Sequence, residues 1–149
     1  MAPMANKLLV YVASPLCSEA ERVFNLRLKA FLLERGMAVY LPQEDGGQLS
    51  DLVRQAPTEE AAIRKRLFSL DCDAVRKCDF LLAVLDGRTI DEGVCFELGM
   101  AFTLGKRCIG FKTDSRSAIR GHDNLMIEQS LIQVLRTWPE LDICLCKML

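Results

Sequence analysis

Four short apolar runs, separated by longer segments of helical pattern, organise this chain. The runs are rich in Val, Leu, Ile, Phe and Tyr, which is typical of strands buried on both faces. Predicted strands therefore cover residues 7–13, 37–41, 80–85 and 107–111, and predicted helices cover 18–36, 58–77, 94–104 and 124–135. Strands that alternate with helices predict an α/β fold: one doubly wound domain with a mainly parallel sheet of four to five strands and helices on both faces.

Local signals refine several of these elements. Ser18 and Glu21 have the spacing of a capping box at the start of the first helix. The apolar stripe of that helix is expected at Val23, Leu26, Ala30 and Leu33, and that of the second helix at Ile63, Leu67, Leu70 and Val75. Residues 42–57 show no clear period, so they are predicted to form a loop that covers a ligand. Asp123 is expected to cap the last helix.

Composition narrows the possible functions. The 149 residues carry a formal net charge of −1 and contain no basic run, so a nucleic acid polymer is not an expected partner. Seven cysteines without paired CxxC spacing and a single histidine predict no metal site and reduced core thiols, with Cys144 and Cys146 alternating in a strand. We expect a tail at residues 1–6, a single domain at 7–149, no membrane span and a cytoplasmic location.

Ligands of doubly wound sheets bind beyond the carboxyl ends of the strands. The segments to search are the ones that follow the predicted strands, at residues 13–18, 42–57, 86–93 and 112–123. None of them contains GxGxxG or GxxxxGK[ST], so the common phosphate-cradling loops are not indicated, and we expect no cofactor.

Glu97 is the first candidate for chemistry. It is the only charged residue in the segment 94–104, and burial of an unpaired carboxylate is expensive. Asp86 and Asp91 follow the third strand, and Asp71 of the preceding helix could approach them. In the alternative interpretation Asp86 belongs to a turn, Asp91 caps the helix and Glu97 lies at an exposed edge.

If the carboxyl groups form a site, their chemistry is limited by what surrounds them. No GxSxG nucleophile motif and no metal-ligand set accompanies them. One ionised carboxylate as nucleophile or stabiliser, with a second carboxyl as proton donor, suits cleavage at an anomeric carbon that has oxocarbenium character in the transition state. A nucleobase is a leaving group that such a donor can assist.

Four stretches together resemble the nucleoside 2-deoxyribosyltransferase family. They are VYVASPLCSEAE, DCDAVRKCDFLLAVLDG, DEGVCFELGMAFTLGK with the following TDSR, and HDN before the last helix. The resemblance spans residues 7–135. It implies a flavodoxin-like fold and exchange of the base on a 2'-deoxyribonucleoside through a covalent deoxyribosyl-enzyme intermediate, without a cofactor and with deoxyribonucleosides and free nucleobases as partners in nucleotide salvage.

The resemblance also implies roles for individual residues. Glu97 matches the nucleophile, Tyr11 the tyrosine that positions it, and Asp91 and Asp71 the aspartates that bind the base and manage its proton. Asn124 matches an asparagine that a neighbouring subunit donates to the sugar 5'-hydroxyl, which implies a homo-oligomer. Further candidate substrate contacts are Asp86, Gly93, Ser14 and Pro42.

The chain departs from the family pattern in two places, and two alternative functions stay open. Ser14 stands where many members have glycine, and the C-terminal ICLCKML lacks their aromatic ending. A hydrolase of the same superfamily, in which water replaces the second base, remains an alternative. Its substrate is a 2'-deoxynucleoside or the 5'-monophosphate, for which Ser115, Arg116 and Ser117 are possible phosphate contacts. A non-catalytic nucleotide-binding or regulatory module is a second alternative, and without the family Tyr11 would be read as a core residue.

Overall fold

A five-stranded parallel sheet forms the centre of the computed structural model, which describes residues 7–148. The predicted tail at 1–6 and the last residue lie outside the described residues. The strands are β1 (Leu9–Ala13), β2 (Ala38–Tyr40), β3 (Phe80–Val84), β4 (Arg107–Phe111) and β5 (Gln133–Leu135). Their order, β2-β1-β3-β4-β5, is that of flavodoxin, and its topological switch point lies between β1 and β3. The predicted fold class is confirmed.

Seven α-helices and one 3₁₀ turn, Pro57–Glu59, connect the strands in the described part of the chain. The helices are α1 (Glu19–Glu34), α2 (Pro42–Asp45), α3 (Leu49–Gln55), α4 (Glu60–Lys77), α5 (Glu92–Thr103), α6 (Leu125–Ser130) and α7 (Trp138–Cys146). Both hydrogen bonds of the predicted capping box are present at the start of α1. None of these helices is long and apolar enough to cross a membrane.

Side chains of the central strands alternate between two layers of the core. Val10 and Val12 of β1 pack in the layer that includes α1 and α7, whereas Tyr11 and Ala13 pack in the layer that includes α4 and α5. Because a strand has a side-chain period of two, the residue between two core valines must face the other layer. This alternation places the Tyr11 ring against α5.

The predicted apolar stripe of α1 is wrong. Asn25, Leu28 and Leu32 are buried, while Val23, Leu26, Ala30 and Leu33 are exposed. The buried face is determined by a cluster of aromatic rings in which Phe24 and Phe31 contact Trp138 of α7, a helix that the pattern did not predict. In α4, Ile63 and Val75 are buried as expected, but Leu70 is exposed.

The segment 42–57 is helical rather than a loop. Pro42 occupies the first turn of α2, where its fixed φ and missing N–H are tolerated, and Asp45 accepts a 2.7 Å hydrogen bond from the Leu41 N–H. Helices of four and seven residues are shorter than the window over which a period can be recognised.

The C-terminal quarter also differs from its prediction. The helix expected at 124–135 ends at Ser130 and is followed by β5, and its cap is Asn124 rather than Asp123. Residues 138–146 form α7, so Cys144 and Cys146 lie in a helix and not in a strand. All seven cysteines are free thiols, four of them buried.

Candidate active site

Glu97 and Tyr11 form the centre of the candidate site. The helix α5 begins directly after Asp91, whose side chain caps it by accepting a 3.0 Å hydrogen bond from the Val94 N–H. Glu97 lies in the second turn, on the side that faces β1. The fully buried Tyr11 of β1 donates a 2.7 Å hydrogen bond from its hydroxyl to Glu97 Oε1. Tyr11 is therefore both a core residue and a member of the site.

The environment of Glu97 disfavours its charge. Burial raises the pKa of Glu97 to about 8, against the opposing effect of the hydrogen bond from Tyr11, and the carboxylates of Asp71 and Asp91 raise it further. Burial and the neighbouring Glu97 also raise the pKa of Tyr11 far above its ordinary value, so the phenol keeps its proton and remains a donor. A pKa of about 8 means that the protonated form of Glu97 predominates at neutral pH and that the carboxylate predominates only above about pH 8.

A second tyrosine and carboxyl pair lies beside the first. The hydroxyl of Tyr40, the last residue of β2, donates a 2.9 Å hydrogen bond to Asp71 Oδ1 of α4. The rings of Tyr40 and Tyr11 stack, with centroids 5.4 Å apart. Sequence reasoning missed Tyr40. Its signal was available, because parallel pairing of the first two strands places it opposite Tyr11 on the same face.

Two cavities of about 290 Å³ each meet at Gly93 and Glu97. We call the first the aromatic cavity; it is lined by Phe68, Asp71, Cys72, Gly93, Phe96, Glu97 and Met100. We call the second the helix-end cavity; it lies at the start of α5 and is lined by Ser14, Leu16, Cys17, Asp91, Glu92, Gly93, Val94 and Glu97. One carboxylate thus borders both an apolar space and a more polar one.

The structure brings several predicted site residues together around Glu97. Asp91, Gly93 and Ser14 border the helix-end cavity, and Asp71 borders the aromatic cavity. Ser14 is 7% exposed, and none of the described residues offers its Oγ a hydrogen-bond partner. A Cβ on Gly93 would lie 3.0 Å from Asp91 Oδ1, so a larger residue there would press on the helix cap.

Three other predicted site residues lie outside both cavities. Asp86 fastens the loop after β4, since it accepts hydrogen bonds of 2.6 Å each from the backbone and the hydroxyl of Thr113. Pro42 is buried at the start of α2. Asn124 caps α6 with its side-chain oxygen and is exposed.

A buried lysine holds the two loops at this edge of the sheet. Lys112 is 1% exposed and donates hydrogen bonds from Nζ to the Leu85 carbonyl, at 2.7 Å, and to the Gly87 carbonyl, at 3.3 Å. Asp114 and Asp123 each lie 3.5 Å from the same ammonium group. Sequence reasoning missed Lys112, because a lysine that follows a strand is usually solvated. Residues 7–148 contain no group of three or more His, Cys, Asp or Glu side chains arranged to hold a metal ion.

Comparison with known proteins identifies the family of this chain. Residues 10–132 match the sequence model of the family described as nucleoside 2-deoxyribosyltransferase. The chain belongs to the nucleoside 2-deoxyribosyltransferase family. The family acts on N-glycosidic bonds of nucleosides, which confirms the coarse prediction of an enzyme of this class. A search of curated proteins by sequence finds no match.

Solved structures show the same fold. A 2-deoxyribosyltransferase from Bacillus psychrosaccharolyticus aligns with a TM-score of 0.71 and 22% identity over 90% of each chain. A 2-deoxyribosyltransferase from Leishmania mexicana aligns with a TM-score of 0.65 and 21% identity over 95% of this chain and 99% of the other. A CMP N-glycosidase from Clostridium botulinum aligns with a TM-score of 0.56 and 20% identity over 94% and 97%.

Proposed function

We propose that this member of the family is a nucleoside 2-deoxyribosyltransferase that exchanges the base of a 2'-deoxyribonucleoside through a deoxyribosyl ester on Glu97. The single observation that carries the proposal is the position of the Glu97 carboxylate, hydrogen-bonded to Tyr11 at the junction of two cavities. A nucleoside also has two dissimilar parts joined at one reactive carbon. Glu97 would lie beside that carbon.

The two cavities suit the two parts of the substrate. Phe68 and Phe96, whose ring centroids are 6.1 Å apart, and Met100 offer apolar surface for a flat base in the aromatic cavity. The helix-end cavity is lined by Ser14 and Asp91, whose polar side chains suit the hydroxyls of a sugar. Bound in this way, the base would contact Asp71 and the sugar would face Asp91.

The proposed reaction proceeds in two displacements at C1'. The ionised Glu97 oxygen forms a bond to C1' while the N-glycosidic bond breaks, and the electron pair of that bond stays on the base nitrogen, which takes a proton from the carboxyl group of Asp91. A nitrogen of a second base then forms a bond to C1', releases Glu97 as carboxylate and returns its proton to the same carboxyl. Two inversions give net retention.

The charges around the sugar side favour a nucleoside over a 5'-monophosphate. Among the described residues that border the helix-end cavity, three are acidic, Asp91, Glu92 and Glu97, and none is Lys or Arg. Arg116, the possible phosphate contact, is already paired with Asp114 at 2.6 Å. A dianionic phosphate in this cavity would be repelled by the carboxylates of Asp91 and Glu92. A neutral 5'-hydroxyl would not be repelled.

Asn124 fits the proposal only through a second subunit. It caps α6 at the surface, outside both cavities, and its amide group is free of the capping bond that its oxygen makes. We propose a homo-oligomer in which this amide reaches the sugar 5'-hydroxyl of a neighbouring site. Asn124→Asp, which keeps the capping oxygen but removes the amide donor, should raise KM for the nucleoside without unfolding the chain.

Incubation of deoxyinosine with free adenine or cytosine tests the proposed reaction directly. We expect deoxyadenosine or deoxycytidine to form, and one deoxyribosyl group to be found by mass spectrometry on the peptide that contains Glu97 after incubation with the nucleoside alone. Glu97→Ala should abolish exchange. Glu34→Ala, which removes an exposed carboxylate in the last turn of α1, is the matched control and should retain it.

Other products would identify the alternatives. Free deoxyribose without a new nucleoside would show that water replaces the second base, and base release only from deoxynucleoside 5'-monophosphates would show a nucleotide hydrolase. Base exchange by Glu97→Ala at a near wild-type rate would refute the assignment of Glu97 as the nucleophile. No turnover of any nucleoside, together with nucleotide binding, would indicate a non-catalytic module.

A further inference from the structure

Tyr40 contacts the site in a way that the proposed reaction does not use. Its hydroxyl donates its only proton to Asp71 Oδ1 at 2.9 Å, and its ring stacks on Tyr11 at an interplanar angle of 15°. Tyr11 in turn donates to Glu97. Each of the two stacked phenols therefore donates a hydrogen bond to one carboxyl group of the aromatic cavity.

The groups that face Asp71 come from several elements. Tyr40 of β2 binds it, Tyr11 of β1 and Glu97 of α5 lie near enough to interact with its charge, and Cys72 is its neighbour on α4. Burial raises the pKa of Asp71, and the Tyr40 hydrogen bond opposes that rise. No Lys or Arg among the described residues is within salt-bridge distance of it. Tyr40 is thus the group that favours the ionised form.

The protonation state of Asp71 decides which edge of a base its carboxyl group can bind. A carboxylate only accepts hydrogen bonds, so it pairs with an exocyclic amino group and repels a carbonyl oxygen. A protonated carboxyl can instead donate to a carbonyl. Because a phenol that donates to Asp71 favours the acceptor form, the choice between amino and carbonyl edges depends on Tyr40.

We propose that Tyr40 is a specificity-determining positioning residue, which holds Asp71 as a hydrogen-bond acceptor so that the aromatic cavity favours bases with an exocyclic amino group, such as adenine, over their carbonyl counterparts, such as hypoxanthine. This inference rests on the proposed function, in which the base lies in that cavity. Tyr40 acts through Asp71 and does not itself touch the base.

Tyr40→Phe isolates the hydrogen bond, because it keeps the stacked ring and removes only the donor. The experiment measures kcat/KM for base release from deoxyadenosine and from deoxyinosine in the wild type, Tyr40→Phe, Asp71→Asn and the double variant. We expect the wild type to prefer deoxyadenosine at least tenfold, and Tyr40→Phe to reduce that preference about tenfold. Asp71→Asn, whose amide can donate, should favour deoxyinosine, and Tyr40→Phe should then change the preference no further.

Two results would overturn the inference: an unchanged preference in Tyr40→Phe, or the same loss of preference in the Asp71→Asn background. A merely structural role would lower the rates for both nucleosides together. Calorimetric binding of free adenine and hypoxanthine to the same four proteins tests the inference apart from chemistry. A wild type that releases no base but binds adenine with a Tyr40-dependent preference would refute the proposed reaction and support the role of Tyr40.

Discussion

The Tyr11 hydroxyl donates its 2.7 Å hydrogen bond to a carboxylate that lies 86 residues later in the chain, Glu97 Oε1. The bond joins the middle of β1 to the second turn of α5, across the layer of the core that contains both. A donor from a fully buried ring has no rotational freedom to lose, so the carboxylate is oriented before any ligand binds. The same burial makes the charged form of Glu97 unfavourable, and this conflict has measurable consequences.

The first consequence is a pH dependence of turnover. If Glu97 must be ionised to attack C1', kcat/KM should rise as pH increases through its pKa of about 8 in the free enzyme. Tyr11→Phe removes the hydrogen bond that stabilises the carboxylate, so the rise of kcat/KM should shift to higher pH by about one unit. Profiles of kcat/KM between pH 5 and 10 for both proteins measure the shift. A rise of kcat/KM at the same pH in Tyr11→Phe would contradict the assignment of this pH dependence to Glu97.

The second consequence concerns stability. The pKa of Glu97 is raised in the folded state, so between its ordinary value and about 8 the folded protein holds a proton that the unfolded chain releases, and stability falls as pH rises through that window. Glu97→Gln has no charge to bury. It should therefore raise the free energy of unfolding by about 3 kcal/mol at pH 9 and by little at pH 4.5, while abolishing exchange.

Urea unfolding at these two pH values measures the effect on stability. Glu34→Gln, at the exposed end of α1, is the matched control and should change the free energy of unfolding by less than about 0.5 kcal/mol at both. An equal gain at pH 4.5 and pH 9 in Glu97→Gln would show that the gain does not come from the charge.

Sequence patterns located four of the five strands and singled out Glu97, but they did not predict β5 or the residues that surround Glu97. Strands buried on both faces are recognisable from their composition, and Glu97 stood out because its neighbours on α5 are apolar. Tyr40 was missed although the pairing of β1 with β2 places it opposite Tyr11, and Lys112 was missed because a lysine that follows a strand is usually solvated. The prediction of the buried face of α1 was wrong because that face is determined by contact with Trp138. Trp138 lies in a C-terminal region whose helix and strand have no strong local sequence pattern.

Lys112 should be important for stability and for the loops of the site. Replacing it with Met removes the donor for the buried Leu85 carbonyl and leaves the nearby Asp123, itself 9% exposed, without a counter-charge. We expect a loss of about 3 kcal/mol in the free energy of unfolding. Lys106→Met is the control: Lys106 donates to the Cys78 carbonyl at 2.8 Å but is partly exposed, so about 1 kcal/mol is expected. Equal losses in urea unfolding would contradict the special role of Lys112.

Replacing Ser14 with Ala should increase stability while it decreases activity. Its buried hydroxyl has no partner among the described residues, and an unsatisfied buried hydroxyl destabilises a fold by about 1 kcal/mol. Ser14→Ala should therefore raise the free energy of unfolding by about that amount, whereas Ser130→Ala, which removes a 2.8 Å bond to the Ile127 carbonyl, should lower it. If the hydroxyl is kept for the sugar in the helix-end cavity, Ser14→Ala should also lower kcat/KM about tenfold, mainly through KM. A destabilised Ser14→Ala with unchanged kcat/KM would show that the hydroxyl serves the fold and not the substrate.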